Sequence, residues 1–254
     1  MKGIEFIEYT RYGAGQVTTD EMKGIEQPDI EPSPVGDLIP LPDPDRDTVS
    51  ELDLSEAIEL RESVRDFSEN PLTLSELSYL LWCTAGIKCA YSGEAFRTVP
   101  SAGCCHAIDT YLAIFNVTGI KSGLYRYIAV EHALETLPAY PDLKEDMVTA
   151  CFDQSCVKGA AVVFLWAAEA YRMTWKYGER GYRNLFLDAG HICQNLYLSV
   201  QPVGCGCCAI GAFHDENIND MLTLDGRDRF VLYLATVGKV HPLPDDDDSI
   251  PADT

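Results

Sequence analysis

The sequence predicts an α+β domain, with helices packed around a mainly antiparallel sheet. Three observations predict it. Helix and strand patterns are mixed through residues 50–240 without the regular βαβ rhythm of a doubly wound fold. The composition is globular, with 46% hydrophobic, 23% charged and 10% aromatic residues. At 254 residues the chain is long enough to bury a large core without staples.

The elements follow in order. Residues 24–48 hold six prolines and several acids, which reads as an extended arm on the surface, so residues 1–49 are taken as an amino-terminal arm. Leu54, Ala57, Ile58 and Arg61 fit a short amphipathic helix capped by Asp53 or Ser55. Thr73-Leu74-Ser75-Glu76 is a capping box, followed by Leu77, Leu80, Leu81 and Ala85 at helical spacing. Thr110–Val117 and Leu124–Ile128 read as strands joined by a turn through Gly119–Gly123. A helix is expected around Asp142–Cys151, then an apolar strand at Ala161–Trp166. Leu185, Ala189, Ile192, Leu196 and Val200 form a long helical stripe that stops at Pro202. A short helix near Asp215–Leu222 and a strand over Phe230–Val237 complete the body, residues 50–240. Residues 241–254, with the run Asp245–Asp248, read as a solvated acidic tail.

Charge narrows the function. Nineteen Lys+Arg against 40 Asp+Glu give −21, a field that repels phosphate backbones and anionic lipid. Nucleic-acid and membrane-surface binding are therefore not expected, and any anionic ligand needs a local basic cluster. No apolar run is long enough to span a bilayer, and MKGIEFIEYT lacks an apolar signal core, so the expectation is a cytoplasmic protein. The ten cysteines are too few for a disulfide scaffold and are read as reduced thiols.

Four segments carry chemistry. Arg61-Glu62-Ser63-Val64-Arg65 sets two guanidiniums and a hydroxyl at a helix end, suited either to clamping a phosphate or to capping the dipole. Arg97–Gly103 (RTVPSAG) is small-residue backbone that either passes close to something flat or is an ordinary loop. Val203–Gly211 formally matches a dinucleotide fingerprint, but it follows a helix and Pro202 rather than a strand, which excludes that reading. Its single C-x-x-C, Cys205 to Cys208, has Cys193, His191 and His214 nearby but no second pair. Packed thiols are thus favoured over a metal site, and no metal ligand is assigned. Trp175–Arg183 mixes aromatic and basic residues. It either lines a pocket, with Lys176 and Tyr177 moving protons, or is a loop leading into a helix with snorkelling side chains.

Taken in order, AIELRESVRDF (57–67), PLTLSELSYLLWCTAGI (71–87), RTVPSAG (97–103), GLYRY (123–127), KYGERGYRNLFLDAGHICQNLYLSV (176–200), GCCAIGAFHDENINDML (206–222) and FVLYLATVGK (230–239) resemble the nitroreductase family. Within it they look most like the SagB-type dehydrogenase (azoline oxidase-like) branch. The resemblance covers the whole predicted body. It implies an FMN-dependent oxidoreductase of nitroreductase-like fold, a homodimer with flavin at the subunit interface. Hydride would pass between flavin and a small or peptide-borne substrate, NAD(P)H being a candidate donor.

By the same resemblance Arg61, Ser63 and Arg65 hold the FMN phosphate and reach the pyrimidine edge, and Lys239 also meets the phosphate. Pro100, Ser101, Ala102 and Gly103 lie against the flavin, while Ala209, Ile210 and Gly211 form a loop whose N–H points at N5. Lys176 and Tyr177 match a Lys-Tyr pair assigned to proton transfer. Two departures stand out. Glu62 replaces an arginine of the usual basic signature, and Cys104-Cys105-His106-Ala107 replaces an apolar-aromatic pair and a proline. The competing class is a non-enzymatic flavin- or metal-binding protein that uses Cys104, Cys105, Cys205, Cys207 and Cys208 as a redox site.

Overall fold

A computed structural model of the chain describes residues 3–13, 18–44, 49–91 and 94–242. The helices are α1 (Gly3–Tyr9), α2 (Leu54–Leu60), α3 (Leu74–Ala85), α4 (Leu143–Ala150), α5 (Ser155–Gly159), α6 (Ala170–Tyr177), α7 (Gly181–Ser199) and α8 (Asp215–Met221). The strands are β1 (Leu38–Pro40), β2 (Leu72–Thr73), β3 (Ile87–Tyr91), β4 (Glu94–Arg97), β5 (Ile108–Ile114) and β6 (Val117–Thr118). They continue with β7 (Gly123–Ile128), β8 (Ala133–Thr136), β9 (Val162–Glu169), β10 (Cys205–Ile210) and β11 (Arg229–Lys239).

Local signals set several boundaries. Asp53 accepts from the Glu56 N–H at 2.9 Å and starts α2. The capping box opens α3: Thr73 Oγ1 accepts from the Glu76 N–H, and Glu76 Oε2 accepts from the Thr73 N–H. Beyond α7, Gln201–Val203 tightens into a 3₁₀ turn that contains Pro202.

The main sheet has seven strands in the order β1-β8-β7-β5-β9-β11-β10, and every neighbouring pair is antiparallel. Helices cover both faces. Leu112, Phe164 and Trp166 pack with residues of α3, α6 and α7 in one core. Tyr111, Val163 and Leu165 pack with residues of α4, α5 and α8 in the other. Both faces are buried, so β9 reads as an apolar run up to Glu169, and β5 is buried along its whole length, Asp109 and Thr110 included. The expected α+β architecture is the one observed.

Three sequence expectations differ from the structure. Trp175–Tyr177, read as a helix-leading loop, lies in α6, since AYRMTWKY has no glycine or proline to stop a helix. Ala209 and Ile210, expected in a loop with Gly211, instead end the strand β10, where pairing with β11 overrides the weak strand preference of CGCCAI. The amino-terminal segment is not extended throughout, because it begins with α1 and later adds β1 to the sheet edge beside β8. The run Asp245–Asp248 lies outside the described residues.

Two buried carboxylates tie this segment down. Glu31 accepts from the Ala129 and Val130 N–H groups and lies 3.6 Å from Arg97 Nη2. Glu135 accepts from the Val35 and Gly36 N–H groups and pairs with Arg126 Nε at 2.7 Å. Arg126 Nη2 in turn donates to the Pro32 and Ser33 carbonyls. Burial opposes ionisation of Glu135, yet the Gly36 and Val35 N–H groups and the Arg126 charge outweigh it and hold its carboxyl below the ordinary value.

A depressed native pKa contributes stability that is present above the unfolded value and lost as pH falls through the native one. Hydrogen exchange across residues 31–40, corrected for the chemical rate, should therefore accelerate as pH drops below the ordinary glutamate value of about 4.3. Glu135→Gln should speed exchange there at neutral pH and flatten its pH dependence.

Candidate functional site

β10 is an edge strand, and its outward backbone groups are satisfied from outside the sheet. The Cys205 N–H donates to the Val200 carbonyl, the Cys207 carbonyl accepts from the Val64 N–H at 3.0 Å, and the Ala209 N–H donates to Tyr197 Oη at 2.8 Å. Ser63 forms a parallel bridge with Cys207. The segment after α2 therefore runs along β10 and brings Arg61, Ser63 and Arg65 to it. The approach is close: a Cβ on Gly206 would lie 2.5 Å from Val64 Cβ.

Tyr197 of α7 is the hub of this group. Its hydroxyl is 2.9 Å from Ser63 Oγ, and the Arg61 guanidinium lies over its ring at 5.5 Å from the centroid. Arg65 Nη1 donates to the Ser63 carbonyl at 3.2 Å. Among the described residues neither Arg61 nor Arg65 has a carboxylate partner, although the chain carries 40 acids. Lys239 pairs with Cys205 in the sheet, but its ammonium is committed to Glu76 Oε1 at 2.6 Å and the Val203 carbonyl at 2.7 Å. Ala209 does not offer its N–H to a ligand, because Tyr197 takes it. Ile210 is buried opposite Leu234, and Gly211, beyond the last paired residue, is exposed.

A second group forms at the other end of α7. Asp188 accepts from Ser101 Oγ at 2.5 Å and from the Ala102 N–H at 3.2 Å, while Ser101 Oγ accepts from the His106 N–H at 3.0 Å. Burial raises the Asp188 carboxyl, and the Ser101 and Ala102 hydrogen bonds oppose that rise. Gly103 adopts φ +58°, and a Cβ there would sit 2.5 Å from Tyr177 Oη and 2.9 Å from Lys176 Cδ. Lys176 and Tyr177 thus lie on the 100–103 backbone. Pro100, Ser101, Cys104 and Arg97 line an adjoining cleft of about 350 Å³.

Asp188 and Tyr197 are nine residues apart, about 13 Å along the helix axis and on opposite sides of it. Within one chain the predicted site residues therefore form two groups, Arg61, Ser63, Arg65 and Ala209 about Tyr197, and residues 100–103 with Lys176 and Tyr177 about Asp188. Tyr197 and Asp188 are the residues that sequence reasoning missed. The signal for both was a polar side chain flanking the apolar helical stripe, one on each side of it.

The cysteines do not form one site. Cys205 and Cys207 enter one core and Cys208 the other, because residues three apart on a strand face opposite sides. Cys104 and Cys105 lie instead beside Gly103. Among the described residues no group of three or more His, Cys, Asp or Glu side chains is arranged to hold a metal, and no helix is long and apolar enough to cross a membrane.

Comparison with known proteins agrees with the fold. A profile of the nitroreductase family matches residues 58–239. The Methanocaldococcus jannaschii protein named as a nitroreductase, MJ1384, is 32% identical over 205 residues, spanning 81% of this chain and 98% of that one. A Ralstonia eutropha structure, also named as a nitroreductase, superposes with TM-score 0.65 at 26% identity, covering 86% of this chain and all of that one (100%). A chain of the E. coli microcin synthetase McbBCD complex, with truncated pro-MccB17 bound, has the same fold at 17% identity and TM-score 0.61, covering 95% of this chain and 98% of that one.

The close approach at Gly206 is directly testable. Gly206→Ala should destabilise the protein by about 1–3 kcal/mol through overpacking against Val64, read as a lower urea midpoint. Adding Val64→Ala should recover part of the loss. Additive losses in the double variant would contradict the contact.

Proposed function

The chain belongs to the nitroreductase family, whose members are oxidoreductases, and we propose that it is an FMN-dependent enzyme that moves hydride between flavin and a small or peptide-borne substrate. The observation that carries this reading is the pair of guanidiniums, Arg61 and Arg65, without carboxylate partners among the described residues of a chain of net charge −21. Such cations suit a phosphate dianion, and Ser63 adds a hydroxyl donor beside them. Lys239 completes this basic patch only if it leaves Glu76. Bound FMN would supply two-electron hydride chemistry; the protein's part is to hold, orient and protonate.

The second group supplies the proton chemistry. Lys176 and Tyr177 rest on the small backbone of residues 100–103, and Asp188 fixes that backbone through Ser101 and Ala102. The separation of the two groups within one chain supports a homodimer in which the arginine group of one protomer meets residues 100–103 of its partner across the flavin. Leu54 and Ile58 on α2, and Phe186 and Leu187 on α7, are more than half exposed and offer apolar area for that contact. The ten free thiols support a reducing, cytoplasmic setting.

Two substrate classes fit this reading. The likeness to the peptide-bound microcin synthetase chain and to the azoline oxidase-like branch favours oxidation of azoline rings in a modified peptide, with partner proteins. The name nitroreductase carried by the M. jannaschii and R. eutropha relatives favours reduction of nitro compounds, to which our reading adds NAD(P)H as donor and quinones as further acceptors.

Arg61→Ala or Arg65→Ala should each weaken FMN about ten- to a hundredfold, since a charge-assisted hydrogen bond is worth roughly 1.5–3 kcal/mol. Arg→Lys should recover only part of it. Fluorescence quenching on titration of apo-protein with FMN measures this, and equal dissociation constants for wild type and variants would end the phosphate assignment. In turnover assays, Lys176→Ala and Tyr177→Phe should cut peptide oxidation by about 10²–10⁴ while leaving quinone reduction in place. Unchanged rates in both assays would remove the pair from the chemistry.

A further inference from the structure

The amino-terminal segment reaches the Lys176 site. The Glu21 N–H donates to the Trp175 carbonyl at 3.1 Å, Trp175 Nε1 donates to the Ile25 carbonyl at 3.0 Å, and Tyr171 Oη donates to Asp20 Oδ2 at 3.0 Å. These contacts lay residues 20–25 along α6. They also set the Glu21 carboxylate 3.2 Å from Lys176 Nζ. The Lys176 stem lies on the Gly103 backbone and its head is turned toward Glu21, so the side chain is fixed at both ends.

We infer that Glu21 is a positioning residue that holds the Lys176 ammonium in place beside Gly103. This rests on the reading that Lys176 serves proton transfer. An ammonium kept charged donates a proton or stabilises developing negative charge, and it cannot act as the base. Glu21 would therefore fix where that charge sits beside Gly103.

The groups facing Lys176 are consistent with this. The Glu21 hydrogen bond raises the Lys176 pKa against the opposing effect of burial, and Cys105 and Tyr177 add to the rise. The Cys105 thiol, pushed up to about 11 by burial, stays neutral at physiological pH, which leaves Glu21 as the formal negative charge at the ammonium.

The test is competitive labelling of the full-length protein as purified, with acetic anhydride at a series of pH values and mass spectrometry of the Lys176 peptide. Lys121 and Lys144 serve as internal standards. At a fixed pH below the wild-type midpoint, Glu21→Gln should label Lys176 roughly two- to fivefold faster, the span of a partly exposed ion pair. The midpoint should move to lower pH, and Glu21→Asp should restore part of the shift. A raised plateau with an unmoved midpoint, as loosened packing would give, overturns the inference, as does an unchanged profile. If the midpoint moves but Lys176→Ala leaves peptide oxidation intact, the proton-transfer reading fails while the Glu21–Lys176 coupling stands.

Discussion

An edge strand cannot leave its outward N–H and C=O groups bare against a packed interior, and β10 meets that demand with three partners, Val200, Val64 and the Tyr197 hydroxyl. Much of the candidate site follows from this. The Val64 bond and the Ser63–Cys207 bridge fix the segment after α2, and that segment carries Arg61 and Arg65. Gly206 is the local requirement, because a side chain there would hold Val64 away from the strand. A backbone need at the sheet edge thereby becomes the placement of two cations.

Helix α7 links this edge to the rest of the molecule. Its apolar stripe, Leu185, Ala189, Ile192 and Leu196, is buried and fixes its rotation. With rotation fixed, Asp188 and Tyr197 have set directions, one toward the Ser101–Ala102 backbone and one toward Ser63 and Ala209. Both are buried polar groups, and both are satisfied by backbone N–H and serine hydroxyl partners, as buried polar groups must be. Neither group of site residues depends on long-range charge for its geometry. Charge enters afterwards, through arginines without carboxylate partners among the described residues and a lysine held by one.

Local chemistry made part of this legible in the sequence. The capping box at Thr73, the Asp53 cap and the α7 stripe each carry their own signal within a few residues, and each forms as read. β10 was not legible, because CGCCAI has little strand preference and owes its conformation to β11, about 25 residues later. The same limit applies to the site. Arg61, Ser63 and Arg65 announce themselves by spacing, whereas Tyr197 and Asp188 gain their roles only when a helix more than 80 residues away from its partners packs against them. Glu21 was less legible still, lying in residues 1–49, which read only as an extended arm on the surface. The C-x-x-C shows the same dependence on context: spacing that converges in a turn diverges on a pleated strand, which sends Cys205 and Cys208 into different cores.

The ion pairs that tie down the amino-terminal segment bear on the order of events during synthesis. Glu21, Glu31 and Glu135 draw residues 20–36 onto the body through Lys176, Arg97 and Arg126, all of which lie at least 60 residues further along the chain. The segment is therefore synthesised before the residues that hold it. Until they follow, it must remain in water without sticking to itself or to other nascent chains. Its prolines and acids suit that wait, since they resist strand pairing and keep like charges apart. The composition that looks unstructured is thus suited to a piece of chain that is made early and kept apart until its partners follow.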